Sequence, residues 1–333
     1  MTPGRAREYD ETDVRVRPGR RGSRPRSKRR PEHADAAEAM VVGVDRGRWT
    51  CAPDGDAARP PVIAMRAREL GRTPIVVGDR VGLSGDVSGT VDTLARIVRV
   101  EDRDTVLRRT ADDTDPYERI VVANAAQLVI VTALADPEPR TGFVDRCLVA
   151  AFAGGLTPVL CLTKSDLADP GPFASTYAEL EFPVVVTRRD QPPDELAALL
   201  AGKVSALVGH SGVGKSTLVN ALVPDAERAV GVVSGVGKGR HTTTAALALP
   251  LPDGQGWVVD TPGVRSFGLA HVTSNEVIAA FDDMAAAVED CPRGCGHLGP
   301  PADPECALDA LVAAGALRPA RLEALRRVLV ALR

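Results

Sequence analysis

The chain has 333 residues, a length that suits two or three domains. With 44% apolar and 26% charged residues, it can bury several cores, which excludes wholesale disorder. The net charge of −3 hides an asymmetry: residues 1–31 carry 11 Lys and Arg against 4 Asp and Glu, and the other 302 hold 30 against 40. The longest largely apolar run, Leu128–Ala135, is too short to cross a bilayer. No export signal or transit peptide is legible. The expectation is therefore a cytoplasmic protein with no membrane partner. Its six Cys are expected as free thiols or metal ligands rather than a disulfide framework.

Residues 1–38 are rich in Arg, Pro, Gly and Ser and predict a disordered tail. Arg pairs with phosphates and releases counterions, so the tail reads equally as an RNA-contacting arm or as a solvated segment without a partner. Residues 39–110 hold short apolar runs (Met40–Val44, Val62–Ala67, Gly78–Leu83, Leu94–Val100) broken by Gly, Pro and Asp. That rhythm predicts a small β-barrel or sandwich; a five-stranded barrel that binds nucleic acid fits the size, and a β domain without that role is equally compatible.

From 111 to 273 the pattern becomes strand–helix alternation, which predicts a mostly parallel sheet with helices on both faces. The strands are expected at Gln127–Leu134, Pro158–Leu162, Pro183–Thr187, Val204–Val208 and Trp257–Val259. The helices are expected at Val144–Ala153, Asp194–Leu200 and Lys215–Leu222. Residues 274–333 predict a helical, metal-binding domain: a helix over Asn275–Glu289, a Cys/His cluster and two Ala/Leu-rich helices.

Four motifs in the middle region carry chemistry. Gly209-His210-Ser211-Gly212-Val213-Gly214-Lys215-Ser216, followed by Thr217, is a full phosphate-binding loop between an apolar strand and a helix. Its glycines let backbone N–H groups turn toward phosphate oxygens, and the helix N-terminus favours the same anion. Lys215 is expected to reach the β- and γ-phosphates, and the Ser216 hydroxyl to ligate Mg²⁺. Asp260-Thr-Pro-Gly263 follows a second apolar strand. Asp260 could hold Mg²⁺ through water, and the Gly263 N–H could meet the γ-phosphate. Between them lies Arg240-His241-Thr242-Thr243-Thr244, preceded by three glycines. Thr243 is the expected threonine of the Mg²⁺ shell. Finally, Thr163-Lys164-Ser165-Asp166 follows the strand Pro158–Leu162. A carboxylate at Asp166 could accept from guanine N1–H and N2–H₂, a donor pair that adenine lacks, and so select GTP over ATP.

The guanine-reading motif precedes the phosphate loop, the reverse of the ordinary GTPase order. The chain therefore reads as a circular permutation, tolerable because domain termini often lie close together. The stretch after Asp260–Gly263 reads Val264-Arg265-Ser266, without the Gln that often positions the attacking water. Intrinsic turnover is expected to be slow. His241 is the side chain expected to orient the water, with His210 a weaker candidate.

Beyond the GTPase motifs comes Cys291-x3-Cys295-x-His297-x8-Cys306. Three thiolates and an imidazole suit one tetrahedral structural Zn²⁺ with no open position for catalysis. A segment so poor in apolar residues needs such a staple.

The motif order, with a β-rich domain before it and a Cys₃His knuckle after it, resembles the RsgA family of small-ribosomal-subunit-dependent, circularly permuted GTPases, from about residue 40 to 333. The resemblance is carried by Gly209–Thr217 with Leu218-Val219-Asn220, Gly237–Thr244, Asp260–Gly268 and Cys291–Cys306, and by Ala123-Asn124 and Val144-Asp145-Arg146-Cys147-Leu148. It implies an N-terminal OB-fold, a central permuted GTPase and a C-terminal zinc domain. It further implies GTP hydrolysis stimulated by the small subunit, late in that subunit's maturation. Partners would be GTP, GDP and the subunit with its rRNA, and the protein is expected to be monomeric off the ribosome. Two positions depart from the family pattern: Thr163 stands where Asn is usual, and the first spacing of the knuckle is one residue short while the last is long. Two competing readings are a nucleotide-gated RNA-binding module and a GTPase serving the large subunit.

Overall fold

A computed structural model describes residues 33–110, 117–224, 246–254, 256–261 and 268–333. Strands β1 (Ala37–Asp45), β2 (Arg48–Pro53), β3 (Val62–Arg66), β4 (Arg80–Ser84) and β5 (Ala95–Val100) form a barrel in the order β1-β2-β3-β5-β4. It closes because β4 also pairs with β1, from Ala37↔Leu83 to Met40↔Arg80. β1 shows why its sequence is an unbroken apolar run. Ala39 and Val41 point into the barrel core, while Met40 and Val42 join the larger core on the other side, so both faces of the strand are buried.

A hairpin of β6 (Val106–Arg109) and β7 (Arg119–Ala123) follows the barrel. The barrel approaches it closely at Gly78, whose φ is +90° and whose Cβ, if present, would lie 1.9 Å from the Ala123 carbonyl oxygen. Only glycine fits there.

The central region comprises β8 (Gln127–Ala133), α1 (Thr141–Ala153), β9 (Thr157–Thr163), α2 (Gly171–Ser175), β10 (Val184–Val186), α3 (Asp194–Leu200), β11 (Lys203–Val208), α4 (Lys215–Leu222), β12 (Leu247–Pro250) and β13 (Gly256–Asp260). The strand order is β10-β9-β8-β11-β13-β12. All pairs are parallel except β12 with β13. All seven residues of β8 are buried, as a central strand covered on both faces requires. β12 also pairs with β1 at Gly43↔Leu247, so barrel and central sheet are one hydrogen-bonded sheet.

The C-terminal region holds α5 (Ser274–Ile278), α6 (Asp282–Ala285), α7 (Ala307–Ala313) and α8 (Pro319–Leu329). The helix expected over Asn275–Glu289 is interrupted. Phe281 has φ −118° and ψ 94°, and its ring packs 4.7 Å from that of Phe152 on α1. Tertiary packing of one aromatic outweighs local helix propensity here. α8 buries Leu322, Leu325, Val328 and Leu329 against the core, and ion pairs flank that face. Arg321 pairs with Asp283 at 2.5 Å and Arg318 with Glu179 at 2.8 Å, while Arg327 stands 4.8 Å over the Tyr177 ring. Among the described residues no helix is long and apolar enough to cross a membrane.

Candidate functional site

β8, β9, β10 and β11 end on the same side of the sheet. Loops at the carboxyl ends of parallel strands are where open α/β sheets bind ligands. A cavity of about 710 Å³ opens there, walled by the phosphate loop, Thr163, Lys164, the segment after β10 and Asp260.

β11 delivers the chain into Gly209–Gly214, and α4 starts at Lys215. Gly214, at φ +92°, is the N-cap of α4 and supplies no side-chain cap. The first-turn N–H groups of α4 are thus left for an anion. Lys215, Ser216 and Thr217 line the cavity with Gly209, His210, Ser211, Gly212 and Gly214, while Val213 is buried beneath. The Lys215 ammonium donates to Asp260 Oδ1. The register explains their meeting: Leu207 of β11 pairs with Asp260 at the end of β13. The neighbouring Thr261 hydroxyl donates to the Leu207 carbonyl at 2.6 Å and pins that crossing.

The segment Thr163–Asp166 leaves β9 beside the phosphate loop. Buried Thr163 donates its hydroxyl to the Val213 carbonyl at 2.6 Å, so a threonine at this position retains a contact to the phosphate loop. Lys164, in the left-handed region at φ +59°, reaches the Asp136 carbonyl on the loop after β8. The Ser165 N–H donates to the Thr187 carbonyl at 3.3 Å. Asp166 is exposed and outside the cavity wall. Its charge is nonetheless felt by Arg188, whose pKa is raised mainly by a hydrogen bond and ion pair with Asp190 and slightly by Asp166.

The sequence reading missed the Thr187–Gln191 segment, which contributes Thr187, Arg188, Arg189 and Gln191 to the wall. The available signal was positional: these residues directly follow the apolar strand Val184–Val186. His210 turns its ring onto Phe143, 4.1 Å between centroids. Partial burial, and secondarily the charge of Arg140, lower its pKa. His241, Thr243 with its neighbours Thr242 and Thr244, and Gly263 lie outside the described residues.

The second site is the Cys/His knuckle. The ligand atoms of Cys291, Cys295, His297 and Cys306 all lie within 4.8 Å of one another. His297 is buried, with Nδ1 3.4 Å from Cys291 Sγ and 3.8 Å from Cys306 Sγ. A tetrahedral metal with bonds of about 2.3 Å to sulfur has ligand–ligand edges of about 3.8 Å, so the donor set fits such an ion. Burial pushes the Cys295 thiol up to about 12; a bound cation would reverse that shift. The surrounding backbone is tied down. The Asp303 carboxylate accepts from the Gly296 and Leu298 N–H groups at 3.0 and 2.9 Å. Arg326 donates to the His297 carbonyl at 3.0 Å while forming a bidentate pair with Asp309. Cys51, Cys147 and Cys161 are buried elsewhere in the cores.

A family model described as RsgA GTPase matches residues 100–270. A protein named small ribosomal subunit biogenesis GTPase RsgA, from Marinobacter nauticus, is 37% identical over 267 residues, covering 77% of this chain and 73% of that one. The chain belongs to the RsgA GTPase family. The protein of the same name from Chlorobaculum tepidum is 36% identical over 264 residues, 76% of this chain and 84% of that one. Among solved structures, YjeQ from Thermotoga maritima superposes with a TM-score of 0.61 at 26% identity, covering 89% of this chain and 98% of that chain. YloQ, described as a circularly permuted GTPase, gives a TM-score of 0.62 at 22% identity over 90% and 96% of the two chains. The fold is thus that of the permuted RsgA-type GTPases, with an N-terminal five-stranded barrel and a C-terminal Cys₃His cluster.

Proposed function

We propose that this protein hydrolyses GTP during late maturation of the small ribosomal subunit, with turnover raised by that subunit. The observation that carries the reading is the joining of two motifs far apart in sequence: Thr163 of the guanine-reading segment donates directly to Val213 of the phosphate loop, in the cavity that also holds Lys215 and Asp260. Lys215 and the backbone of Gly209–Thr217 bind the β- and γ-phosphates, a positioning and charge-stabilising role. Asp166 reads guanine, with Lys164 and Ser165 shaping its loop. Ser216, Thr243 and, through water, Asp260 would hold Mg²⁺, which would supply charge neutralisation on the phosphates. Lys215 and Asp260 already pair, so nucleotide and cation would each take one partner of that pair. His241 orients the attacking water, and the Gly263 N–H meets the γ-phosphate. The knuckle takes one structural Zn²⁺. The protein acts in the cytoplasm and is monomeric off the ribosome.

An acidic body needs a local basic face to approach rRNA. Adjacent barrel strands bring Arg48 opposite Met65 and Met65 opposite Arg96. All three are exposed, and neither arginine has a carboxylate partner among the described residues. Such a row suits phosphate contact on an RNA backbone.

The test is phosphate release from GTP and from ATP, with and without purified small and large subunits. The expected result is GTP turnover raised many-fold by small subunits alone. Equal use of ATP overturns the role of Asp166. Stimulation by neither subunit favours a nucleotide-gated binding module instead.

A further inference from the structure

His297 presents Nδ1 to the thiols and Nε2 to a residue outside the knuckle. Nε2 lies 2.6 Å from Asn275 Oδ1. An amide oxygen only accepts hydrogen bonds, so Nε2 must carry the proton, which leaves the Nδ1 lone pair aimed at the space between Cys291 and Cys306. That is the tautomer a metal needs. The four expected ligands come from residues 291–306, whereas Asn275 comes from the first turn of α5. That turn is fixed independently: Thr273 and Glu276 form a reciprocal capping box, and Val277 and Ile278 are fully buried. Asn275 is therefore presented to His297 by a turn that holds its own geometry without the metal.

From this geometry we propose that Asn275 is the positioning residue of the metal centre: it selects the ligating tautomer of His297, fixes the ring plane and ties α5 to the knuckle. Because α5 is the first helix after Asp260 among the described residues, the same bond links the metal to the stretch of chain that follows the nucleotide cavity. Partners of this kind around a ligating imidazole change metal affinity by about 10–100-fold. The inference rests on the metal reading proposed above.

The experiment uses the full chain and Zn²⁺ competed against a chromophoric chelator, with cobalt-substituted protein as a spectroscopic readout. Asn275→Ala should weaken zinc binding by about 10–100-fold and shift the cobalt visible bands, because the ring is free to turn. Asn275→Asp keeps an acceptor oxygen at the same place and should restore both signals. A wild type that binds zinc, with an Asn275→Ala variant of equal affinity and unchanged cobalt spectrum, overturns this inference alone. A wild type that takes up no zinc overturns the metal reading as well. Failure of Asn275→Asp to restore binding that Asn275→Ala has lost also counts against the role, since it would assign the loss to disturbed packing of α5.

Discussion

The nucleotide cavity and the metal knuckle both gather polar groups in glycine-rich backbone, yet they treat those groups oppositely. In the cavity, the first turn of α4 has no side-chain cap, and the donors face an open space of about 710 Å³. In the knuckle, Asp303 satisfies N–H groups on either side of His297, while Arg326 and Asn275 satisfy the carbonyl and ring of His297 itself, and His297 is only 1% exposed. A site that must exchange its ligand at every turnover keeps its helix-terminal backbone donors unspent, even where side chains such as Lys215 and Asp260 pair with each other. A site that holds one ion for the life of the fold closes every valence. The same residue types therefore say little by themselves; what separates the two is how many local partners the backbone groups already have.

The contrast can be broken most sharply at the knuckle. Cys306→Ser is expected to abolish stoichiometric zinc, since structural zinc sites are worth about 10–16 kcal/mol in small peptides. Measured by metal analysis and limited proteolysis, the variant should lose the ion and expose the 291–306 segment while nucleotide affinity stays within about twofold (~0.4 kcal/mol). Parallel loss of nucleotide binding would mean that the two sites are one cooperative unit. At the cavity, Lys215→Ala should lower subunit-stimulated phosphate release by about 10²–10³-fold, the usual effect of removing one charge-stabilising donor, with the circular dichroism spectrum unchanged. Undiminished release would place the chemistry elsewhere. The smallest effect is expected at Thr163→Val. It leaves the buried Val213 carbonyl without its donor, a loss of about 1 kcal/mol, read as roughly fivefold weaker GDP binding by titration. Thr163→Ser should retain wild-type affinity, and equal weakening by both changes would assign the effect to packing instead.

Much of the fold was legible because its signals are local. Asp194–Leu200 and Lys215–Leu222 form helices over the expected residues, and β8, β9 and β11 coincide with apolar runs within one residue at each end. The knuckle was readable for the same reason, since its ligands are close in sequence and their chemistry is narrow. What escaped was whatever depends on partners distant in sequence. β2, β6, β7 and β12 carry no strong alternation, and their strand character comes from pairing. Arg188 and Arg189 reach the cavity only because β10 lies beside β9 in the sheet. Asn275 had no motif of its own, and only the fold brings it to His297.

The joint between barrel and central sheet, Gly43↔Leu247, has a consequence for how the chain comes off the ribosome that makes it. The barrel's hydrogen-bond ring is complete once β5 is synthesised, but Met40, Val42 and Ala52 face a core built from later residues. At translation speeds of about 5–20 residues per second, β12 is made on the order of seven to thirty seconds after β5. During that interval the nascent barrel presents an apolar face and an unpaired stretch of β1, the kind of surface on which chaperones act and strands mispair. Protein synthesis, rather than the finished structure, is thus where this arrangement is most exposed to error.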